Sequence, residues 1–279
     1  MVDLRNAISG GHYARKQIFS RAWLVAWSHG RRFEKAVAIA RRYAGKRVLD
    51  FGCGDGTFLA MTMMTAEAPA IGVGAELMPD VVQDCRLRYR EEPRLKFVQV
   101  DELSTAEHLG RYDAVFCMEV FEHVVDWEPE IDRFRKLLAP GGTLILSVPV
   151  ETGLPVVVKQ IVRRVAGWRK IGHYPGTSFY SPAEMAKSVF AGGTQHITRP
   201  VFDMGTGPFH DHKGFNWMVL KNRLRRDFVV ERVLASPFSW LGPHLATQAW
   251  FIARLRPQTP QTNESLGAQA RGASLAATK

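Results

Sequence analysis

The chain has 279 residues, 46% of them hydrophobic, and a formal net charge of +10 at neutral pH. That is ample apolar material for one large buried core, and no apolar run approaches the roughly 18 residues of a membrane span. The opening MVDLRNAISGGHYARK lacks the apolar segment of a secretory leader, and Cys53, Cys85 and Cys117 form no CxxC pair. Both features argue against a disulfide framework or a cysteine zinc site, and a reduced, cytoplasmic protein is expected.

Residues 1–47 carry eleven Lys or Arg (5, 15, 16, 21, 31, 32, 35, 41, 42, 46, 47) against Asp3 and Glu34. Two further basic clusters are Lys159, Arg163, Arg164, Arg169 and Lys170, and Lys221, Arg223, Arg225 and Arg226. Such patches attract phosphate-bearing partners or an anionic membrane surface; solvated helix faces are the plain alternative. Between Ser20 and Tyr43, Trp23, Leu24, Trp27, Phe33, Ala36, Ile39 and Ala40 recur at helical spacing, broken near Ser28–Gly30. This pattern predicts two helices in an N-terminal basic segment, residues 1–44.

The stretch KRVLDFGCGDG then reads as a short apolar strand entering a glycine turn. PAIGVGAEL (69–77), LKFVQVDEL (95–103), RYDAVFCMEV (111–120) and GGTLILSVPV (141–150) read as four more strands, the last after the turn signal APGG. Helical stretches TFLAMTMMTAE, MPDVVQDCRLRYREE and EPEIDRFRKLLA lie between them. Strands and helices alternating in this way predict βαβ units and a parallel sheet covered on both faces. The rhythm stops over residues 151–213, rich in Gly, Pro, His and aromatics, with one helix at SPAEMAKSVFA that Ser181 caps and Pro182 opens. Alternation resumes with helix FNWMVLKNRLRRD and strands FVVERVLASP and ATQAWFIARL, so the detour lies between the fifth and sixth strands. From residue 257 onward the composition predicts a disordered tail.

A glycine turn between a first strand and a first helix lets a ligand approach the backbone over the helix N-terminus. The spacing in VLDFGCGDGTF is GxGxG, with Thr57 where a dinucleotide fingerprint wants its third glycine. Asp50, two residues before Gly52, would repel a pyrophosphate but suits a ligand with an ammonium group, as in S-adenosylmethionine. Glu76, ending the second strand, could accept both ribose hydroxyls, and Asp101, ending the third, an adenine amino group, with Glu102 beside it. Choosing Glu76 over the position of Gly74 assumes a two-residue shift that the loop TAEAPA absorbs. Together, VLDFGCGDG, the acid-ended second and third strands, YDAVFCMEVFEHV and LLAPGGTLILSVP resemble class I S-adenosylmethionine-dependent methyltransferases. The resemblance spans about residues 45–150, with the last two strands consistent at 228–235 and 246–255. It implies a Rossmann-like, doubly wound, mostly parallel seven-stranded sheet over residues 45–256, with residues 151–213 as a substrate cap. It also implies cofactor contacts from Asp50, Gly52, Cys53, Gly54, Gly56, Glu76, Asp101, Glu102 and Met118. Cys53 and Cys117 read most simply as small buried fillers, while Tyr13 and Arg15 could close over the methionine end, as an N-terminal segment does in similar enzymes.

The acceptor should lie beyond the fourth and fifth strands, where CMEVFEHVVD places Glu119, Glu122 and His123. A helix beginning there would set all three side chains on one face. They could hold a cation that acidifies an acceptor hydroxyl, His123 with Glu119 could handle the proton, or Glu122 could cap the following helix. A divalent metal is not expected, since such runs occur in this superfamily without one. His173, His210 and His212 in the cap are candidate acceptor contacts. ETGLPVVVKQIVRRVAGWRK (151–170) sets Val157, Ile161, Val162 and Val165 beside Lys159, Arg163, Arg164 and Arg169, with Trp168 at the end, the composition of an interfacial helix; a cap helix packed on the domain is the alternative.

The MEVFEHV run is most similar to quinone-pathway O-methyltransferases, which implies methyl transfer to oxygen of a small-molecule or lipid-like acceptor; the interfacial composition of residues 151–170 suits a peripheral contact with the anionic inner face of a membrane. Two other readings stand beside it. Small-RNA terminal 2′-O-methyltransferases carry a similar ExxEH run, and a basic N-terminus suits nucleic acid; a non-catalytic cofactor-binding protein is the third.

Overall fold

The computed structural model describes residues 4–20, 23–168, 178–203, 205 and 207–257. Helices α1 (Leu4–Ser9), α2 (His12–Gln17) and α3 (Trp23–Ala40) precede strand β1 (Arg47–Phe51). Alternation then runs through α4 (Thr57–Met63), β2 (Ile71–Glu76), α5 (Pro79–Arg88), β3 (Leu95–Gln99), β4 (Tyr112–Met118), α6 (Glu128–Leu137) and β5 (Leu138–Pro149). Beyond β5 lie α7 (Gly153–Trp168), α8 (Pro182–Val189), a hairpin of β6 (Val201–Asp203) and β7 (Pro208–His210), α9 (Trp217–Leu224), β8 (Phe228–Ser236) and β9 (Gln248–Leu255).

The main sheet has the strand order β3-β2-β1-β4-β5-β9-β8. Its first five strands are parallel, and β9 inserts antiparallel between β5 and β8. The expected seven strands and their mostly parallel sense are therefore present. Successive strand residues serve opposite faces, as pleating requires. Leu49, Val115 and Leu146 join Phe134, Trp217 and Phe251 on one face. Val48, Phe116 and Ile145 join Phe33, Ile39 and Phe58 on the other. Chain order reverses between β1 and β4, and the crevice beyond the C-terminal ends of such strands is where open α/β sheets bind ligands.

Two expectations are corrected. The N-terminal periodicity forms one continuous helix, α3, not two. Gly30 lies inside it with open space where a side chain would be. One glycine inside a helix costs it about 1 kcal/mol, and burial of Phe33, Ala36, Ile39 and Ala40 outweighs that. The run after β4 does not begin a helix: residues 121–123 form a turn, irregular backbone follows, and α6 starts at Glu128 with Trp127 at its N-cap. The shared-helical-face argument for Glu119, Glu122 and His123 therefore falls, as does Glu122 as a cap.

Within the insertion, Ser181 caps α8 as expected. Its hydroxyl accepts from the Glu184 N–H, and the Glu184 carboxylate accepts from the Ser181 N–H. His173, Arg169, Lys170 and the tail from residue 258 lie outside the described residues. No helix of the described residues is long and apolar enough to cross a membrane.

Candidate active site

At the C-terminal ends of β1, β2 and β4 lies a cavity of about 420 Å³. Its floor is the glycine turn. Gly52, Gly54 and Gly56 all have left-handed φ, at 74°, 52° and 73°. At Gly52 a Cβ would fall 2.5 Å from Val120 Cγ2, so the turn can pass under the Val120 side chain only with glycine there. Gly56 turns the chain into α4 and does not itself line the cavity.

Asp50, Cys53, Gly54 and Glu76 line this side of the cavity. The Glu76 carboxylate accepts from the Gly54 N–H at 3.0 Å and the Leu77 N–H at 2.7 Å, which fixes it at the cavity rim. Gly74 is instead a packing position inside β2, where a Cβ would meet Phe97 and Cys53 within 3 Å. Asp50 is buried, and its Oδ1 makes no hydrogen bond to a described residue. Burial first, and the neighbouring Glu76 charge second, push its carboxyl up to about 8. Asp55 plays a different part. It accepts from the Ala14 N–H at 2.8 Å and the Thr57 hydroxyl at 2.7 Å, fastening α2 to the turn. Tyr13 is thereby laid against Gly54 and the cavity. Arg15 points elsewhere, its Nε donating to the Gly11 carbonyl, and Gln17 and Arg32 line the cavity in its stead. Asp101 and Glu102 do not line it. The DELS turn leaves both exposed, with Glu102 accepting from Gln99 N–H and Arg86, while Val100 faces the cavity.

The opposite wall is built from the end of β4 and the turn beyond it, with Ser147 of β5 behind. Met118, Glu119, Val120 and His123 line it, whereas Cys117 is packed in the core. Glu119 has φ 57°, the only non-glycine residue with positive φ among those described. Such a conformation costs about 1–3 kcal/mol. It is held by the Glu119 N–H donating to the Ser147 carbonyl at 2.9 Å and by the Ser147 hydroxyl donating to Glu119 Oε1 at 3.1 Å. Oε2 faces the Arg32 guanidinium at 3.7 Å, and Arg32 also donates to Gln17.

His123 Nδ1 stands 2.9 Å from the His210 carbonyl, which can only accept. Nδ1 is therefore the protonated nitrogen and Nε2 keeps its lone pair. The His210 N–H returns a bond to the His123 carbonyl, so β7 supports the 121–123 turn through its backbone. The His210 side chain turns away to the Pro200 carbonyl and a second cavity. The His212 ring is centred 5.0 Å from that of His123. Glu122 is fully buried beside the pair, with His123 Nε2 3.8 Å from its Oε1 and neither carboxylate oxygen hydrogen-bonded to a described residue. Ligand atoms of Glu122, His123 and His212 lie within 4.8 Å of one another; Glu119, turned toward Ser147 and Arg32, is not in this group.

Glu151, just beyond the end of β5, is fully buried as well. Lys159 and Arg163 of α7 meet it at 2.9 and 3.2 Å, and His212 Nδ1 at 3.8 Å. These charges hold its carboxyl well below the usual carboxylate range despite burial. Lys159 and Arg163 of α7 thus face inward, while Arg164 is exposed together with Leu154, Val158, Ile161, Val162 and Val165.

A family model for the methyltransferase domain matches residues 27–190, more than half of the chain. The chain belongs to the methyltransferase-domain family. Among curated relatives, the ubiquinone biosynthesis O-methyltransferase of Xanthomonas oryzae pv. oryzae is 39% identical over 154 residues, covering 51% of this chain and 60% of the relative. That of Psychrobacter arcticus is 34% identical over 156 residues, 54% of this chain and 59% of the relative. The chain thus spans about 60% of the length of the curated relatives it matches. In structure it is similar to an S-adenosylmethionine dependent methyltransferase from Mesorhizobium loti (TM-score 0.50, 14% identity, 80% of this chain and 97% of that one). A Listeria monocytogenes structure of the same class has TM-score 0.53 at 13% identity, covering 82% of this chain and 99% of that one. The fold of this family member is that of the class I S-adenosylmethionine-dependent methyltransferases.

Proposed function

We propose that the chain methylates an oxygen atom of a small-molecule or lipid-like acceptor, with S-adenosylmethionine as methyl donor. The observation that carries this reading is the pairing, across one cavity, of a buried β1 carboxylate whose Oδ1 has no hydrogen-bond partner among the described residues with an imidazole lone pair beyond β4. S-adenosylmethionine supplies a methyl group on a sulfonium, which an acceptor oxygen displaces in line. Asp50 suits its ammonium group, because its carboxylate, with Oδ1 free of any described partner, gains a charge-assisted bond there on ionising. Glu76, with its backbone bonds in place, keeps acceptor capacity for ribose hydroxyls. Tyr13 and Arg32, brought over the cavity by α2 and α3, exclude water. On the far wall His123 Nε2 is the group positioned to relieve an acceptor hydroxyl of its proton. The names of the curated relatives favour oxygen as the acceptor atom.

A lipid-like acceptor and contact with an anionic bilayer are supported by α7. A helix with inward cations and an outward stripe of Leu154, Val158, Ile161, Val162 and Val165 is suited to an apolar surface, and Arg164 beside the stripe suits anionic headgroups. The basic N-terminal segment gives less support to nucleic acid. Arg31, Arg41, Lys46 and Arg47 lie within ion-pair distance of Glu34, Glu67, Asp113 and Glu107, and Lys35 donates to the Ala235 carbonyl.

The test supplies methyl-labelled S-adenosylmethionine with a phenolic lipid extract and, separately, with small RNA. Label in an ether-linked, solvent-extractable product is expected. Label in RNA alone would select the nucleic-acid reading, and cofactor binding without label in any pool the non-catalytic one. Flotation with phosphatidylglycerol vesicles is expected to retain the wild type and to lose the Val158→Glu, Ile161→Glu double variant.

A further inference from the structure

Across the 121–127 segment from the cofactor cavity, α6, α9 and β7 border the second cavity, of about 560 Å³. The basic run at 221–226 has no role in methyl transfer, and two of its residues, Arg223 and Arg226, line this cavity with Arg199 and His210 of the insertion. Two acids, Asp126 and Glu128, stand on the same wall. Both are engaged: Glu128 pairs with Arg223, which also meets Asp227, and Asp126 Oδ1 accepts from the Glu128 N–H at 3.0 Å.

Arg199 and Arg226 are the charges left over. Arg226 is exposed and makes no ion pair with a described residue. Arg199 is half-buried; its Nη2 donates to the carbonyls of Glu122 and Asp211, while Nε and Nη1 donate to no described residue. Neither nearby acid pairs with it. Asp211 turns its carboxylate to the Ser178 and Lys213 N–H groups, and burial, then the Glu119 charge, pushes the Glu122 carboxyl well up. A cation drawn out of water without a counterion is costly to keep. His210 adds an acceptor. Its Nδ1, 2.8 Å from the Pro200 carbonyl, carries the proton, so Nε2 keeps a lone pair to which no described residue donates.

We infer that the second cavity binds the phosphate of a small phosphomonoester, held between the Arg199 and Arg226 guanidinium groups and His210 Nε2. The guanidinium groups donate to phosphate oxygens. A monoprotonated phosphate offers its O–H to Nε2, which sulfate and carboxylate anions, with acceptors alone, cannot do. Val125, Trp127 and Val219 give the organic part an apolar wall, and the volume falls within the range of small-ligand sites, about 300–1,000 Å³. The ligand bears on the residues that hold His123: Arg199 donates to the Glu122 carbonyl, and the His210 backbone exchanges hydrogen bonds with His123. Occupancy therefore steadies the turn that presents His123 and raises turnover. That consequence rests on the methyl-transfer reading; the binding site does not.

The experiment titrates the full chain calorimetrically with inorganic phosphate, glycerol 3-phosphate and sulfate, for wild type, Arg226→Gln, Arg199→Gln and His210→Asn. S-adenosylhomocysteine affinity reports the fold of each variant. Stoichiometric binding of both phosphates is expected in wild type, weakened roughly tenfold in either arginine variant. Sulfate should bind wild type roughly tenfold more weakly than phosphate. His210→Asn, whose amide can still donate to the Pro200 carbonyl, should close that gap. No phosphate binding by wild type, or undiminished binding by Arg226→Gln, overturns the site, and equal wild-type affinity for phosphate and sulfate overturns its assignment to phosphate. If Arg199→Gln fails to fold, the exposed Arg226 decides. Binding to phosphatidic acid vesicles alone, lost in Arg226→Gln, would keep the site and place the phosphate on a lipid. Phosphate binding without methyl transfer to any acceptor would leave the site standing and remove the methyl-transfer reading; transfer without phosphate binding would do the reverse.

Discussion

The two walls of the cavity are put together over very different sequence distances. On the β1–β2 side, Asp50, the glycine turn and Asp55 come from one stretch of the chain, and Glu76 closes the set from the next strand. On the β4–β5 side, His123 is fixed by His210, Glu119 by Ser147 and Arg32, and His212 lies against Glu151. The first wall is a local motif that any chain with this strand–turn–helix must form. The second depends on the excursion over residues 151–213 and on α3, so it is the part free to specialise for an acceptor. Substitutions on the second wall should therefore spare cofactor binding, and those on the first should not.

The largest effect expected on that contrast is from His123→Ala. Turnover should fall by roughly 10²–10⁴, with S-adenosylhomocysteine affinity unchanged in calorimetry; a parallel loss of affinity would merge the two walls. Glu151→Leu leaves Lys159 and Arg163 facing a buried apolar group and is expected to lower unfolding stability by about 3 kcal/mol, read from the urea midpoint. Because Glu151 also orients His212, its Glu151→Gln variant should lose turnover more than it loses stability. Asp50→Asn is expected to weaken S-adenosylhomocysteine binding by about 1.5–3 kcal/mol, with the fold intact by circular dichroism. Smallest is Ser181→Ala, which removes the α8 capping box for about 1 kcal/mol and should leave cofactor affinity untouched.

The same contrast explains what could be read from sequence. Asp50, Gly52, Gly54 and Glu76 stood out because turn chemistry and strand ends are written in adjacent residues, and each is where the motif put it. Met118, Glu119 and His123 followed from their place at the end of β4. Arg32 was counted only as one charge in a basic run, since its entry into the cavity depends on the continuous α3 and on how that helix packs. Asp55 stood in plain view within GCGDG, yet its bond to Ala14 needs α2 overhead. Glu151 and Glu122 carried no signal of burial: Lys159 lies 8 residues beyond Glu151, and His212, which stands near both acids, lies 61 residues from Glu151 and 90 from Glu122. The α7 stripe was legible as amphipathic, but its orientation was not, because it is set by the buried Glu151, which Lys159 and Arg163 meet, and by the Val150 and Thr247 carbonyls, to which Lys159 also donates.

The central claim is that this cavity takes a cationic cofactor group at Asp50, and proton linkage tests it most directly. With its pKa raised to about 8, the Asp50 carboxyl is largely protonated at pH 7. A raised carboxyl stabilises the unliganded fold at low pH, and that stabilisation is lost as pH rises through about 8. A bound ammonium group favours the ionised form, so binding should expel the proton, and affinity should rise with pH until about 8 and then level. Calorimetric titration of S-adenosylhomocysteine at pH 7, in two buffers of different ionisation enthalpy, counts that proton. Release of most of one proton by wild type and none by Asp50→Asn is the expected result; equal proton counts in the two proteins would contradict the account.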